Sequence, residues 1–520
     1  MKKSHLFWCL ALALIVFAFF LRVYRIPEYL TFLSDQGRDA IILKRIVTLE
    51  KWVFVGPTTS IGNVFTGPFF YYLVAPFMLL WRLDPAGPAY GIAIINTIGL
   101  ILSFVFVYKN FSKTTSVIFL VLAGFSANQI LQSRFSWNPN PVSTFSFLAL
   151  ACWYYSMKEG KMRWFVITGV IVGLCLQLHY MTVLLLLPMG IEVLITSFHL
   201  LRSKAHPHYG SLIHYFRKIS VAIISGVFTF IPLILFDVKN HFINLKTLLR
   251  ATSTGEIQAK NIAYLDRFND SLRSMWHHAL GVDWSTDLSL LLLVGLTVVV
   301  CLIAFTQYRD TRRRFLLGCV LLVASFIPLF ALLETGRHVH YYNHLYLALY
   351  ALMSLVGTWI IDLIIKRVPH NKAPRTIAHV FLYGILGFCL FAYARSHIST
   401  LIYLTEPHRQ YTQIGDAQTV AQYIIGQQPA EAYQVVGLPY YETEGHYRYF
   451  LEYYNRRPMT ADTLGDPTEL YVICHEETIK ACQIPGNPQW QLADFQNRHP
   501  EWKTVSEKKV TNVWVVKIIK

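Results

Sequence analysis

The chain has 520 residues, of which 54% are hydrophobic and 15% charged, with a formal net charge of +16. That balance excludes an ordinary soluble globular protein, because so much apolar surface needs a bilayer to cover it. The excess of Lys and Arg does not point to nucleic acid either: it gathers between apolar runs, as topology signals and anionic-lipid contacts do.

Met1-Lys2-Lys3 and the apolar run to Leu21 have the outline of a signal peptide. Arg22-Val23-Tyr24-Arg25 stands where a small-residue cleavage site belongs, so an uncleaved first helix is expected. A span needs about 20 mostly apolar residues. That length predicts spans near 6–24, 88–108, 115–133, 141–157, 164–181, 183–200, 219–236, 287–306, 315–333, 345–365 and 376–394, about eleven in all. Lys109 with Lys113, Lys158 with Lys161 and Arg163, Arg202 to Lys218, Arg309 to Arg314, and Lys366 to Arg375 then fall on one side with Lys2-Lys3. By the positive-inside rule that side is cytoplasmic, with Arg22 and Arg25 dissenting from the far side. The expected location is the plasma membrane, multi-pass, with the C-terminal segment outside.

Pro68 to Trp81 is apolar but short, and it carries Pro68 and Pro76. Were it to span, every basic loop after it would face outward. It is therefore expected as an interfacial or re-entrant helix within a first external loop, 25–87. The external face then holds Asp35, Arg38 and Asp39, the turn Arg134 to Pro141, His179-Tyr180, a loop over 237–286, and Glu334 to Tyr342. Polar side chains at the ends of membrane helices are candidate functional groups.

After residue 395 polar residues rise and apolar ones come in short bursts. Helices are expected at Gln413–Gly426 and Glu442–Tyr454, and strands at Gln434–Leu438, Glu469–Cys474 and Thr511–Ile519. The expected fold is thus a polytopic α-helical membrane domain, 1–395, followed by a small extracytoplasmic α/β domain, 396–520. Six of the eight cysteines lie in apolar runs as small core residues. Cys474 and Cys482 stand in the polar tail, where an oxidising compartment would let them pair.

Ser34-Asp35-Gln36-Gly37-Arg38-Asp39 places two carboxylates four residues apart, with Ser34 or Asp35 at the start of a helix expected to run to Lys51. A helix start favours an anion, so Asp35 reads either as a cap or as a base at the water–lipid boundary, able to take a proton from an acceptor. Arg134-Phe-Ser-Trp-Asn138-Pro-Asn140-Pro has strong turn chemistry, and its arginine has the fork that binds phosphate. Arg337-His-Val-His340-Tyr-Tyr342 offers a cation, two imidazoles and two hydroxyls. Without a third ligand at a metal spacing, hydrogen bonding or phosphate contact is the expected use of His338 and His340, and no cofactor is indicated. His179-Tyr180 reads as a buried hydrogen-bonded pair or as part of the same site. No phosphate-binding loop, dinucleotide fingerprint, zinc-protease motif or nucleophile elbow is present.

These motifs resemble the GT-C superfamily of membrane glycosyltransferases. The likeness is to the protein O-mannosyltransferase and aminoarabinose (lipid A) transferase branch, including bacterial members with RgtA/B/C/D-like domains. Asp35-Gln36 matches the acidic pair of the first external loop, with Gln36 in place of the second acid and Asp39 nearby. Thr66-Gly67-Pro68-Phe69-Phe70-Tyr71-Tyr72 resembles that branch's Lys-Pro-Pro-Leu-Tyr-Tyr-like segment, without its lysine. Asn138 or Asn140 stands where a further Asp is expected.

The resemblance implies inverting transfer of a sugar from a polyprenyl-phosphate donor to a protein, lipid or glycan acceptor on the external face. Asp35 would be the base, with Asp39 in reserve. Arg38, Arg134 and Arg337 would lie near the donor phosphate, with Asn138, Asn140, His179, Tyr180, His340 and Tyr342 as further donor or acceptor contacts. A divalent metal is not required. Two other readings fit the same spans: a transporter or lipid-linked-sugar flippase, and an inactive relative whose tail is a binding module.

Overall fold

The computed structural model describes residues 2–59, 64–203, 210–254, 262–308, 310–333, 335–369, 372–406, 413–438, 444–459, 466–475 and 499–520. Glu334, Arg309, Lys204 and Cys482 lie outside them. The chain is a multi-pass helical membrane protein. Seven described helices are long and apolar enough to cross a bilayer, eight if one bent pair counts as a single span. The others among the eleven expected spans fall on shorter helices.

The first half of the chain runs α1 (Lys2–Val23), α2 (Ile26–Tyr29), α3 (Ser34–Val47), α4 (Phe69–Leu80), α5 (Ala86–Asn110), α6 (Lys113–Phe125), α7 (Ala127–Gln132), α8 (Val142–Glu159), α9 (Met162–Leu178) and α10 (Leu186–Ser203). There follow α11 (Leu212–Phe228), α12 (Ile231–Lys239), α13 (Ile243–Thr254), α14 (Tyr264–Leu280), α15 (Thr286–Gln307), α16 (Thr311–Ala331), α17 (Tyr346–Arg367) and α18 (Lys372–Ser399). The loop expected over 237–286 is therefore largely helical. The last long helix also continues to Ser399 instead of ending near 394.

Two expected spans are broken, each for a local reason. The run 115–133 stops at Ser126, whose hydroxyl accepts from the Gln129 amide and starts α7 as a new helix. The run 219–236 bends by 58° between α11 and α12. There Thr229 Oγ1 bonds back to the Gly226 carbonyl, and Pro232 brings no amide hydrogen to continue the ladder. Gln177 Nε2 takes the Thr229 carbonyl at 2.8 Å, which satisfies one of the backbone groups at the bend. α9 and α11 approach closely because Gly169 leaves room for the Ala222 carbonyl.

The helix ends sort into two groups. At one end Lys113 lies over the Phe7 ring, Lys158 Nζ reaches Asn110, and Arg312 Nη1 reaches the Asn110 carbonyl. At the other end Asn138 Nδ2 donates to the Leu178 carbonyl, Asn343 Nδ2 to the Pro139 carbonyl and Tyr180 to the Phe65 carbonyl. Arg25 joins the Tyr403 carbonyl there, at the short α19 (Ile402–Thr405). The loops that hold Lys113, Lys158 and Arg312 thus share one end, and the expected external segments share the other. α4 begins beside Gln177, which accepts from the Phe69 amide, and leads to Leu83, whose carbonyl accepts from Tyr449. Both of its ends belong to the same side of the bundle.

The C-terminal segment carries α20 (Gln413–Gly426), β1 (Tyr433–Leu438), α21 (Gly445–Tyr453), β2 (Glu469–Cys474), β3 (Lys503–Val510) and β4 (Val513–Ile519). The sheet order is β1-β2-β4-β3, with β1 and β2 parallel and the other pairs antiparallel. A strand was expected from Thr511, but Thr511 has φ 54 and forms the turn between β3 and β4. β3 itself is absent from the sequence reading. Cys474 is disulfide-bonded.

One face of this sheet, with Val435, Tyr471 and Val515, continues through α20 and α21 into Phe32, Leu43 and Phe70 of the first loop as a single apolar core. Burial on both sides of that seam fixes the C-terminal segment against the helix that carries Asp35.

Candidate active site

α3 starts at Ser34, with Leu33 as the flanking residue and Gln36 Oε1 accepting from the Leu33 amide at 3.2 Å. Neither Ser34 nor Asp35 is the cap, and the helix ends at Val47 instead of Lys51. Asp35 lies in the first turn, where helix amides favour a carboxylate. Gln36, at the position of the second acid, is spent on holding that turn.

Arg38 links the two acids. Nη1 meets Asp35 Oδ1 at 2.9 Å, and Nη2 and Nε meet Asp39 Oδ1 at 2.9 and 3.0 Å. Tyr71, on α4, donates to the same Asp39 oxygen at 2.8 Å. The two carboxylates differ sharply in environment. The Asp35 side chain is 51% exposed and that of Asp39 is 2% exposed. Burial pushes the Asp39 carboxyl up to about 6, against the pull of Arg38 and Tyr71 toward the charged form. Asp39 Oδ2 is buried without a hydrogen-bond partner among the described residues. The geometry therefore offers one open carboxylate, Asp35, and one inner carboxylate that anchors the arginine between them.

The turn after Arg134 connects this cluster to a second one. Ser136 lines a narrow gap with Gln36 and Asp39. Next to it, the Trp137 ring packs against His340 at 4.7 Å, and His340 against His179 at 5.6 Å. Asn138 ties this turn to the end of α9, and Asn140 Nδ2 closes the turn on the Phe135 carbonyl. Tyr180 donates to Phe65 O at 2.6 Å, and Asn244 clasps the same residue by its amide and carbonyl. Burial, with His179 and His338 nearby, holds His340 down at about 3, so it is a neutral imidazole at neutral pH and not a cation for phosphate.

Arg134 and Arg337 are placed differently from Arg38. Arg134 Nη1 donates to the carbonyls of Leu21 and Arg22 at the end of α1, and its guanidinium lies 3.6 Å from the Tyr403 ring centre. Arg337 Nη1 takes the Leu333 and Thr335 carbonyls just past α16 and stacks on Phe330. Both close helix C-termini, where cations are favoured. In each, Nη2 is buried without a partner among the described residues. Tyr342 is buried and donates to the Ser271 carbonyl, apart from the acid cluster. Among the described residues no three His, Cys, Asp or Glu side chains gather to hold a metal.

Reading residues alone passed over Tyr71, Ser136, Gln177 and Asn244 as site residues. Tyr71 and Ser136 lie inside motifs already singled out. Gln177 and Asn244 gave no signal, since each is one amide in a segment read as an apolar span or an open loop.

No family model matches this sequence, and no curated protein matches it. Solved structures do. ArnT from Cupriavidus metallidurans in the apo state superposes with a TM-score of 0.60 at 12% identity, over 99% of this chain and 98% of that one. The chain has the GT-C fold. ArnT bound to undecaprenyl phosphate gives 0.57 at 12% identity with the same coverage. At 12% identity the arrangement of helices is shared while most side chains differ, so the GT-C likeness is visible in three dimensions and not in the sequence comparisons.

Proposed function

We propose that this chain is a membrane glycosyltransferase that takes a sugar from a polyprenyl-phosphate donor and passes it to an acceptor at the end carrying the C-terminal segment. The observation that carries this reading is the end-to-end likeness to ArnT, a structure of which holds undecaprenyl phosphate. The acid cluster supplies the chemistry that such a reaction needs.

In the proposed step Asp35 removes the proton from an acceptor hydroxyl or amine. The freed electron pair forms the new bond at the anomeric carbon, on the side opposite the phosphate, which inverts that centre. The bond from the anomeric carbon to the phosphate oxygen breaks, and its electron pair leaves on the polyprenyl phosphate. Arg38 stabilises negative charge beside the reacting groups, held in place by Asp39 and Tyr71. Asp39 acts here as a positioning residue, with Arg134 and Arg337 as more distant candidates for the phosphate through Nη2 groups that are buried without a partner among the described residues. Protein, lipid and glycan acceptors all present the required nucleophile.

The test is transfer of labelled sugar from polyprenyl-phosphate donors by membranes containing wild type or Asp35→Asn. Loss of a general base lowers the rate by about 10²–10⁴. Equal rates for a folded Asp35→Asn protein would remove Asp35 from the mechanism. The engagement of Gln36 with the Leu33 amide keeps the inactive-relative reading in play. A wild type that retains donor lipid but transfers no sugar to any acceptor would favour it.

A further inference from the structure

The end of the bundle away from Asp35 carries a cleft that sugar transfer leaves unused. It lies between α10 and α16, encloses about 440 Å³, and has Ile195, Leu317 and Leu321 on its walls. Ile195 is 47% exposed and Phe305, at its edge, 60% exposed. No protein element covers them among the described residues, so the hollow opens sideways to hydrocarbon.

Arg313 and Arg314 stand at its mouth, in the first turn of α16 and beside the Arg312–Asn110 contact that marks the basic end. The charges there do not cancel. Asp310 also lines the cleft, but it is engaged by Arg312 at 2.9 Å. Glu192, on the floor, accepts from Trp153 Nε1 at 2.7 Å and lies 3.8 Å from Arg314. Thr196 Oγ1 receives a further Arg314 bond at 3.1 Å. Arg313 has Phe305 beneath it at 5.6 Å and no carboxylate partner among the described residues. The mouth therefore carries one surplus positive charge, with Arg314 held in place from below. Both acids already face arginines, so neither is open to an ammonium headgroup.

We propose that this cleft binds one anionic glycerophospholipid of the adjacent leaflet. Its phosphate lies on Arg313 and Arg314, and one acyl chain lies against Ile195, Leu317 and Leu321. Guanidinium forks match phosphate oxygens in geometry as well as charge. Apolar walls directly behind them suit a chain that enters with its headgroup at the interface.

The experiment is native mass spectrometry of the full chain, taken from bilayers of equal phosphatidylglycerol and phosphatidylcholine. One phosphatidylglycerol should stay bound per chain in preference to phosphatidylcholine, and Arg313→Gln should reduce its retention by about tenfold. Arg313 has no buried partner to strand, so this variant is expected to fold. Ile195→Trp fills the acyl wall with both arginines intact and should also release the lipid. Equal retention of the two lipids by wild type, or unchanged retention in both variants, would overturn the proposal. So would displacement by inorganic phosphate alone, which would make this a free-anion site. None of these outcomes bears on sugar transfer.

Discussion

Tyr71 and Asp39 are joined by a buried hydrogen bond of 2.8 Å from phenol to carboxylate, which ties α4 to α3 beneath Asp35. Burial pushes the Asp39 carboxyl up to about 6 from an ordinary 3.8. An acid whose pKa is raised by folding holds its proton more tightly in the folded state. Its contribution to stability is therefore greatest below the ordinary carboxylate value and is lost as pH rises through about 6. A shift of that size corresponds to roughly 3 kcal/mol. Asp39→Asn cannot titrate, so the melting temperature of wild type minus that of the variant should fall between pH 4.5 and 7.5. A flat difference would mean that Asp39 does not titrate in that range.

Tyr71→Phe keeps the ring and removes only the phenolic donor. Asp39 then loses a bond that favours its charged form, and the variant should be less stable by about 1–3 kcal/mol near neutral pH. The pH midpoint assigned to Asp39 should also move upward in the same melting series, because the remaining environment is poorer in donors. A loss of stability with an unmoved midpoint would mean that the tyrosine packs without tuning the acid.

Gly37 and Gly445 meet where α3 crosses α21. A methyl group on Gly37 would run into the His446 backbone, and one on Gly445 would sit 2.7 Å from the Ser34 carbonyl and 3.0 Å from the Arg38 amide. Backbone on both sides cannot step aside. Gly445→Ala should therefore cost about 1–3 kcal/mol, the usual range for overpacking. It should also expose the C-terminal segment to limited proteolysis before the bundle is cut. Since Arg45 and Glu452 pair across the same contact at 2.7 Å, the segment should loosen around α3 and not elsewhere.

How much of this was legible in the residues depends on how local the cause is. Long apolar runs such as 88–108 and 345–365 fall on α5 and α17, because about 20 apolar residues admit few other structures in a bilayer. The breaks at Ser126 and Thr229 were not legible, since each depends on one side chain reaching a particular amide or carbonyl. β3 was missed because Lys503–Val510 is an edge strand whose charged side chains erase the alternation that marks a strand. Asp35 and Arg38 could be singled out because their spacing alone brings them together. Tyr71 beneath Asp39, and the arginines on helix ends, need neighbours that only the folded chain supplies.

Orientation gives the last prediction. The expected cytoplasmic end has Lys158, Lys161 and Arg163 in one short loop and Arg312, Arg313 and Arg314 in another, and such loops govern insertion. Arg22 and Arg25 argued for the opposite sense. In the structure Arg22 is buried and donates to the Ala18 and Gly124 carbonyls, while Arg25 pairs with Glu28 at 2.7 Å and reaches the Tyr403 carbonyl. Both are occupied with closing helix ends, so their place at that end of the bundle is accounted for by packing. In a chain with Cys9 and Cys389 replaced by Ser, Lys161→Cys should resist a membrane-impermeant thiol reagent in intact cells and react after permeabilisation. Lys508→Cys, on β3, should react in both. Labelling of Lys161→Cys in intact cells would reverse the orientation and place the Asp35 cluster in the cytoplasm.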